Sequence, residues 1–399
     1  MGQSWRERAH ERINDIRVSD VQIRVTMDGE PVPDATVQLQ MKEHAFGFGT
    51  AISAKHLMAD DSDGEQYREF VERCNRVTFE NDLKWEPWAA AEASPEKMAT
   101  LEDAVTWLAH RDIPIRGHYV HWAVIEGGSL PTHVAEGYDG DAAALYDVWM
   151  DNIRERVPQA AALGNIFEWD VINHPVGWSG RLPRTEAEFG TDFYAELFDL
   201  ADDLVPDSDH WINEGSILSG LRRVAAYERV IEDLIERDQG PDGIGFMGHF
   251  SEPNLPSMEE LEETLDRFAN LVPRLQITEL DVTADTEKRM AEYFGDVLTL
   301  AYSHPAMEAV ILWGFWAGRH WRPETALYDE EWNLRPVGRV WHDLVYDEWW
   351  SDVHGQTDGD GLFADEVFHG IHEITVDVDG ASTSEIVSIT DQQTVDISI

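Results

Sequence analysis

Leu275-Gln276-Ile277-Thr278-Glu279-Leu280-Asp281-Val282 reads as a short buried strand that ends in two carboxylates. Its near-continuous apolar run suits a parallel sheet covered on both faces. In an α/β barrel, the end of such a strand is where reactive side chains are mounted. About a hundred residues earlier, Phe167-Glu168-Trp169-Asp170-Val171-Ile172-Asn173-His174-Pro175 has the same build, with a histidine just past the strand.

Around these two stretches the chain alternates strand and helix. Candidate strands lie at 45–50, 76–80, 113–120, 166–173, 210–213, 243–247, 274–279 and 309–313. Helical periodicity fills the intervals at 67–74, 98–110, 142–157, 195–204, 221–237, 258–271 and 287–304. Eight such units over roughly 300 residues predict an α/β fold, a (β/α)8 TIM barrel with its chemistry at the C-terminal strand ends. An open doubly wound sheet would require a glycine-rich phosphate turn after an early strand, and none is present.

Both ends of the chain read as β-structure. Residues 21–27 and 35–41 alternate around Asp28-Gly29, which predicts a hairpin within 20–43. Residues 371–378 and 384–389 alternate around Asp379-Gly380. A lone hairpin is marginal in water, so the ends are expected to meet in a small β-sandwich. The expected organisation is 1–43 and 351–399 for the sandwich and 44–350 for the barrel.

Thirty basic against 78 acidic residues give a net charge of −48, and only five lysines are present: Lys42, Lys55, Lys84, Lys97 and Lys288. Repulsion of this size opposes compaction at low ionic strength. In molar salt, where the Debye length falls to about 3 Å, it is largely screened. The composition therefore reads as that of a halophilic protein. Nucleic acid and anionic membranes are poor partners, because both select basic patches. Cys74 is the single cysteine, so no disulfide forms within the chain. No apolar run approaches the length of a membrane span, and Met1-Gly2-Gln3-Ser4-Trp5-Arg6 has no apolar signal core. As written the chain is expected in the cytoplasm, or outside the cell if a signal has been trimmed.

The strand ends resemble glycoside hydrolase family 10, the β-1,4-xylanase family, over roughly residues 45–345. Thr78-Phe79-Glu80-Asn81-Asp82-Leu83-Lys84-Trp85 is similar to T-x-E-N-x-M-K-W, and Arg116-Gly117-His118-Tyr119-Val120-His121-Trp122 to R-G-H-T-L-V-W. Trp169-Asp170-Val171-Ile172-Asn173 matches W-D-V-x-N, Gly243-Ile244-Gly245-Phe246-Met247-Gly248-His249 resembles G-I-G-x-Q-x-H, and Ile277-Thr278-Glu279-Leu280-Asp281 is I-T-E-L-D. Trp313 and Trp321 keep the spacing of the family's two substrate tryptophans. The resemblance implies a retaining glycoside hydrolase acting on a β-linked, xylan-like or uronate-bearing glycan, with carbohydrate as its partner. Glu279 would be the nucleophile, supported by Asn173, His249 and Asp281. Glu80, Asn81, Lys84 and His118 would bind sugar hydroxyls, and Trp122, Trp313 and Trp321 would stack on sugar faces. No cofactor is implied. His118, His121, His174 and His249 could converge, but no metal-ligand spacing such as HExxH is present, so no metal is expected.

The chain departs from the family at the reaction centre. His174 stands where the acid/base glutamate is expected, which leaves three readings open. Histidine can itself act as general acid; Glu126 or Glu214 can replace it; or the protein binds glycan without efficient cleavage. Met247 replaces a glutamine and Ala123 a histidine. Arg319 and His320 enrich the last loop in basic groups, suited to a uronate carboxylate or to the chain's own acids.

Overall fold

The computed structural model describes residues 3–124, 130–138, 140–177, 185–190 and 192–399. Eight parallel strands form its centre: β1 (Gly47–Ile52), β2 (Arg76–Phe79), β3 (Ile115–Gly117), β4 (Ile166–Asn173), β5 (Asp209–Gly215), β6 (Gly243–Met247), β7 (Leu275–Thr283) and β8 (Met307–Leu312). Each pairs with the next, and β8 pairs with β1, closing the barrel. The structure is thus the expected (β/α)8 barrel. Strand β3 is shorter than the sequence suggests, and His121–Trp122 forms a separate short strand beside the end of β4.

Two of the motif glycines are demanded by packing rather than by turns. A β-carbon at Gly117 would come within 2.3 Å of the Trp169 ring, and one at Gly243 within 2.3 Å of the Trp211 ring. Each tryptophan is fully buried across a strand pair, so these glycines let large rings fill the barrel wall. The outer helices are amphipathic. Met258–Ala269 begins with a capping box between Ser257 and Glu260 and buries Met258, Leu261, Leu265 and Phe268 on one stripe. An eighth outer helix, Pro336–His342, follows β8 and was not anticipated; it has only seven residues, too few for a clear period.

The chain ends meet in two four-stranded sheets. One holds Leu362–Phe368, Val18–Met27 and Gln393–Ser398, with Glu30–Pro31 at its edge; the other holds Asp352–Gln356, Thr36–His44, Gly370–Val378 and Ala381–Ile389. Val21, Ile23 and Val25 of the first sheet share an apolar cluster with Val37, Leu39, Ile374 and Val376 of the second. The hairpin expected within 20–43 forms only at its turn, where Thr26 and Met27 pair with Pro31 and Glu30 across Asp28-Gly29. Its two strands belong to opposite sheets, because alternation shows that one face is buried but not against which partner.

The N-terminal part of 1–43 differs as well. Trp5–Arg17 is a helix with a capping box, Ser4 N–H donating to Glu7 Oε2 at 2.7 Å. It lies on the barrel: Ile13 joins the barrel core, Arg8 and Arg12 pair with Glu262, and Arg17 donates to the carbonyls of Tyr302 and Met307 at 2.9 and 2.8 Å. No helix among the described residues is long and apolar enough to cross a membrane. The charge of −48 predicts that thermal stability rises on going from 0.1 to 2 M KCl. A melting temperature indifferent to salt would remove the halophilic reading.

Candidate active site

The ends of β4 to β8 converge on Glu279. Glu279 and Asp281 lie two residues apart on β7 and project from the same face. The short strand His249–Ser251 pairs with the end of β7 and sets His249 opposite Asp281. His249 then spans the two carboxylates, Nδ1 at 2.8 Å from Asp281 Oδ2 and Nε2 at 2.9 Å from Glu279 Oε2. A carboxylate at each nitrogen is satisfied only by the doubly protonated ring. Burial opposes that charge, yet Asp281 and Glu279 together push the His249 pKa up to about 9. In return, burial would raise Glu279, but the His249 hydrogen bond and the charges of His249, His118 and Lys84 hold it below the usual carboxylate range.

Several further groups fix this centre, and among them Asn213 and Arg322 carry no role in the sequence reading. The Asn213 amide at the end of β5 donates to Asn173 Oδ1 at 3.2 Å and to Glu279 Oε1 at 3.3 Å. Thr278 donates to Asn213 Oδ1 at 2.8 Å, which sets the amide's orientation. Asp281 also accepts from Trp321 Nε1 at 2.8 Å and from Arg322 at 3.0 Å. Arg322 follows Trp321 directly in the chain, the one signal that pointed to it. Beneath, buried Arg116 binds Asp170 and Glu168, and Asp170 Oδ2 lies 2.8 Å from His118 Nδ1.

The expected sugar-binding group assembles beside Glu279. Lys84 Nζ donates to Asn81 Oδ1 at 3.1 Å and lies 6.0 Å from the Trp313 ring centre, while the His118 ring meets Trp313 edge-on at 5.3 Å. Burial lowers the Lys84 pKa, against the pull of Glu279 and Glu80. Trp321 keeps 44% of its surface exposed, a flat apolar face at the cleft edge. Arg319 is paired with Glu80 at 3.0 Å. Its neighbour His320 is buried, accepts from the Arg322 backbone N–H at 3.0 Å, and has its pKa pushed down to about 4 by burial. Its contacts hold the loop. His121 is likewise buried away from the centre, between Trp149 and Phe193, and burial pushes its pKa to about 3.

His174 follows β4 with a left-handed backbone, φ 59°. Its N–H donates to Asn213 O at 2.9 Å, its ring stacks on Trp122 at 5.3 Å between centres, and Nδ1 lies 3.1 Å from Glu214 Oε1. Of the two alternative acids, Glu126 lies outside the described residues. Glu214 is fully buried, and its oxygens accept from the Val176 and Gly215 N–H groups at 2.8 Å each. Its place is behind the imidazole. Met247 has only an apolar thioether to offer near Gly215, where the family carries an amide.

Residues 37–342 match the family model described as Glycosyl hydrolase family 10. The chain is 29% identical over 390 residues to Anti-sigma-I factor RsgI6 of Acetivibrio thermocellus, covering 95% of this chain and 47% of that protein. It is 25% identical over 376 residues to Endo-1,4-beta-xylanase 1 of Arabidopsis thaliana, covering 90% and 36%. The chain thus spans less than half the length of either relative. Among solved structures, native xylanase 10B from Thermotoga maritima aligns with a TM-score of 0.65 at 25% identity, over 76% of this chain and 96% of that one. Xylanase 10B from Thermotoga petrophila RKU-1, solved with xylobiose, aligns with a TM-score of 0.65 at 24% identity, over 76% and 95%.

Proposed function

This chain belongs to glycosyl hydrolase family 10, and on that premise we propose that it is a retaining glycoside hydrolase of β-linked, xylan-like or uronate-bearing glycans. The observation that carries the reading is the Glu279 carboxylate at the end of β7, kept charged by cationic His249 and aimed by the Asn213 amide. Such a group is a competent nucleophile, and the buried cations beside it oppose its protonation.

In the first step a Glu279 oxygen bonds to the anomeric carbon as the C1–O bond to the leaving sugar breaks. The His174 Nε2–H delivers its proton to that leaving oxygen. In the second step water bonds to C1, the ester to Glu279 breaks, and neutral Nε2 takes the water's proton. Trp313 and Trp321 would carry sugar faces, while Asn81, Lys84 and His118 orient hydroxyls. Sugar release from a panel of xylo- and glucurono-xylo-oligosaccharides in molar KCl tests this, with the first-formed anomer read by proton NMR. The β-anomer is expected; an α-anomer would exclude the retaining route.

The Glu80–Arg319 pair supports a specificity prediction. Both partners are partly solvated, so the pair adds at most about 1 kcal/mol to stability. Arg319→Ala is expected to leave unfolding within that range while raising KM severalfold for uronate-bearing oligosaccharides over neutral ones. An equal change for both would make Arg319 a structural partner of Glu80.

A second reading has its own support. Histidine in place of the acid/base glutamate favours glycan binding with little or no cleavage. Saturable calorimetric binding with no product, unchanged by Glu279→Gln, would establish it.

A further inference from the structure

We propose that Glu214 is a positioning residue for His174, the two forming a carboxylate–imidazole dyad where a single carboxylic acid is expected. The proposal rests on the reading of His174 as the acid/base. Successive residues of a strand face opposite ways, and the end of β5 uses both directions. Asn213 reaches Asn173 and Glu279, while Glu214 reaches the chain leaving β4.

The geometry around the imidazole is over-determined. The left-handed φ of 59° at His174 turns the chain sharply after Asn173. The His174 N–H to Asn213 O bond at 2.9 Å and the Gly177 N–H to His174 O bond at 3.1 Å hold that turn. Stacking on Trp122 sets the ring plane. Glu214 is itself immobilised, with the Val176 N–H on Oε2 and the Gly215 N–H on Oε1. With both oxygens already facing N–H donors, the carboxylate is set to accept from Nδ1, so Nδ1 keeps a proton and Nε2 is the atom that delivers and recovers one. Among the described residues, β5 brings the Glu214 carboxylate to the ring and the 121–122 strand an apolar ring. Glu279 on β7 is linked to the same centre through Asn213.

Glu214 therefore fixes the tautomer and offsets the positive charge of the ring before proton delivery, without touching the substrate. The sequence of the reaction is unchanged: Nε2–H protonates the leaving oxygen as Glu279 takes the sugar, and water returns the proton to Nε2 as the ester breaks.

The test pairs kinetics with a tautomer measurement on the whole chain in molar KCl. Glu214→Gln is expected to lower kcat/KM for unactivated xylo-oligosaccharides by about 10²-fold. For a 2,4-dinitrophenyl glycoside, whose leaving group needs no proton, the loss should stay under tenfold, and Glu214→Asp should recover most of the activity. Equal losses on both substrates would make Glu214 merely structural and overturn the proposal. In wild-type protein, nitrogen-15 NMR of neutral His174, assigned by its loss in His174→Gln, should show the proton on Nδ1. A proton on Nε2 would overturn the dyad even if Glu214→Gln fails to fold. If wild type cleaves nothing, the hydrolase reading fails on its own, and the tautomer still decides the dyad.

Discussion

Glu279→Gln is expected to lower turnover by at least about 10⁴-fold while the protein stays folded, the largest effect of any single substitution in the cleft. The side chains have the same shape, so the space on β7 stays filled. The amide oxygen still accepts from Asn213, but the neutral group cannot form the ester with the anomeric carbon. The loss therefore falls on kcat, with KM changed only a fewfold. Three measurements separate this from general damage. A 2-deoxy-2-fluoro glycoside with a good leaving group should add its sugar mass to the peptide containing Glu279 in wild type and not in the variant. Glu279→Gly should regain turnover of activated glycosides with azide, which enters the vacated space. Urea unfolding in molar KCl should show Glu279→Gln within about 2 kcal/mol of wild type, because the amide N–H group then faces His249 Nε2 and donates to it once the ring gives up that proton. Turnover within tenfold of wild type would reject Glu279 as nucleophile.

The barrel was legible because two independent signals coincide at each strand. The runs are apolar enough to be buried on both faces, as β1 and β6 are, and helical periodicity fills the intervals between them. Glu279 and Asp281 stand out at the end of such a run, Lys84 and His118 follow from the resemblance to the family's motifs, and the structure places the four in one cleft. What escaped was information carried between strands. Asn213 and Glu214 sit in Trp211-Ile212-Asn213-Glu214-Gly215, where nothing marks Asn213 and Glu214 reads only as an alternative acid; their partners, Glu279 and His174, are 66 and 40 residues away. The sandwich strands show the same limit. Alternation at 21–27 and 35–41 identified the buried faces, but pairing depends on segments more than 300 residues distant, such as Asp365 opposite Val21. The helix Trp5–Arg17 was readable in principle, since Ser4 and Glu7 have capping-box spacing.

Replacing His249 by Gln is expected to cost roughly 3 kcal/mol of stability at pH 7 and to flatten the alkaline stability profile. An imidazole in an unfolded chain titrates near 6.5, whereas in the folded protein His249 holds its proton up to about 9. The folded state thus binds the proton more tightly than the unfolded state does. That preference stabilises fully below about pH 6.5, weakens above it, and is lost as pH rises through 9. Each pH unit of difference is worth about 1.4 kcal/mol, which sets the size of the effect. Only 18% of the side chain is exposed, so solvent screening reduces it little. Urea unfolding at constant KCl, from pH 6 to 10, should show wild type losing this increment while His249→Gln does not. Removing the cation also leaves Glu279 and Asp281 as neighbouring carboxylates on one strand face, with Arg322 compensating only Asp281. Glu279 then protonates more readily, and the acid limb of the pH–rate profile moves to higher pH. Stability curves that run parallel for the two proteins over this range would show that His249 carries no excess proton in the folded state, and the charged bridge between the two carboxylates would have to be abandoned.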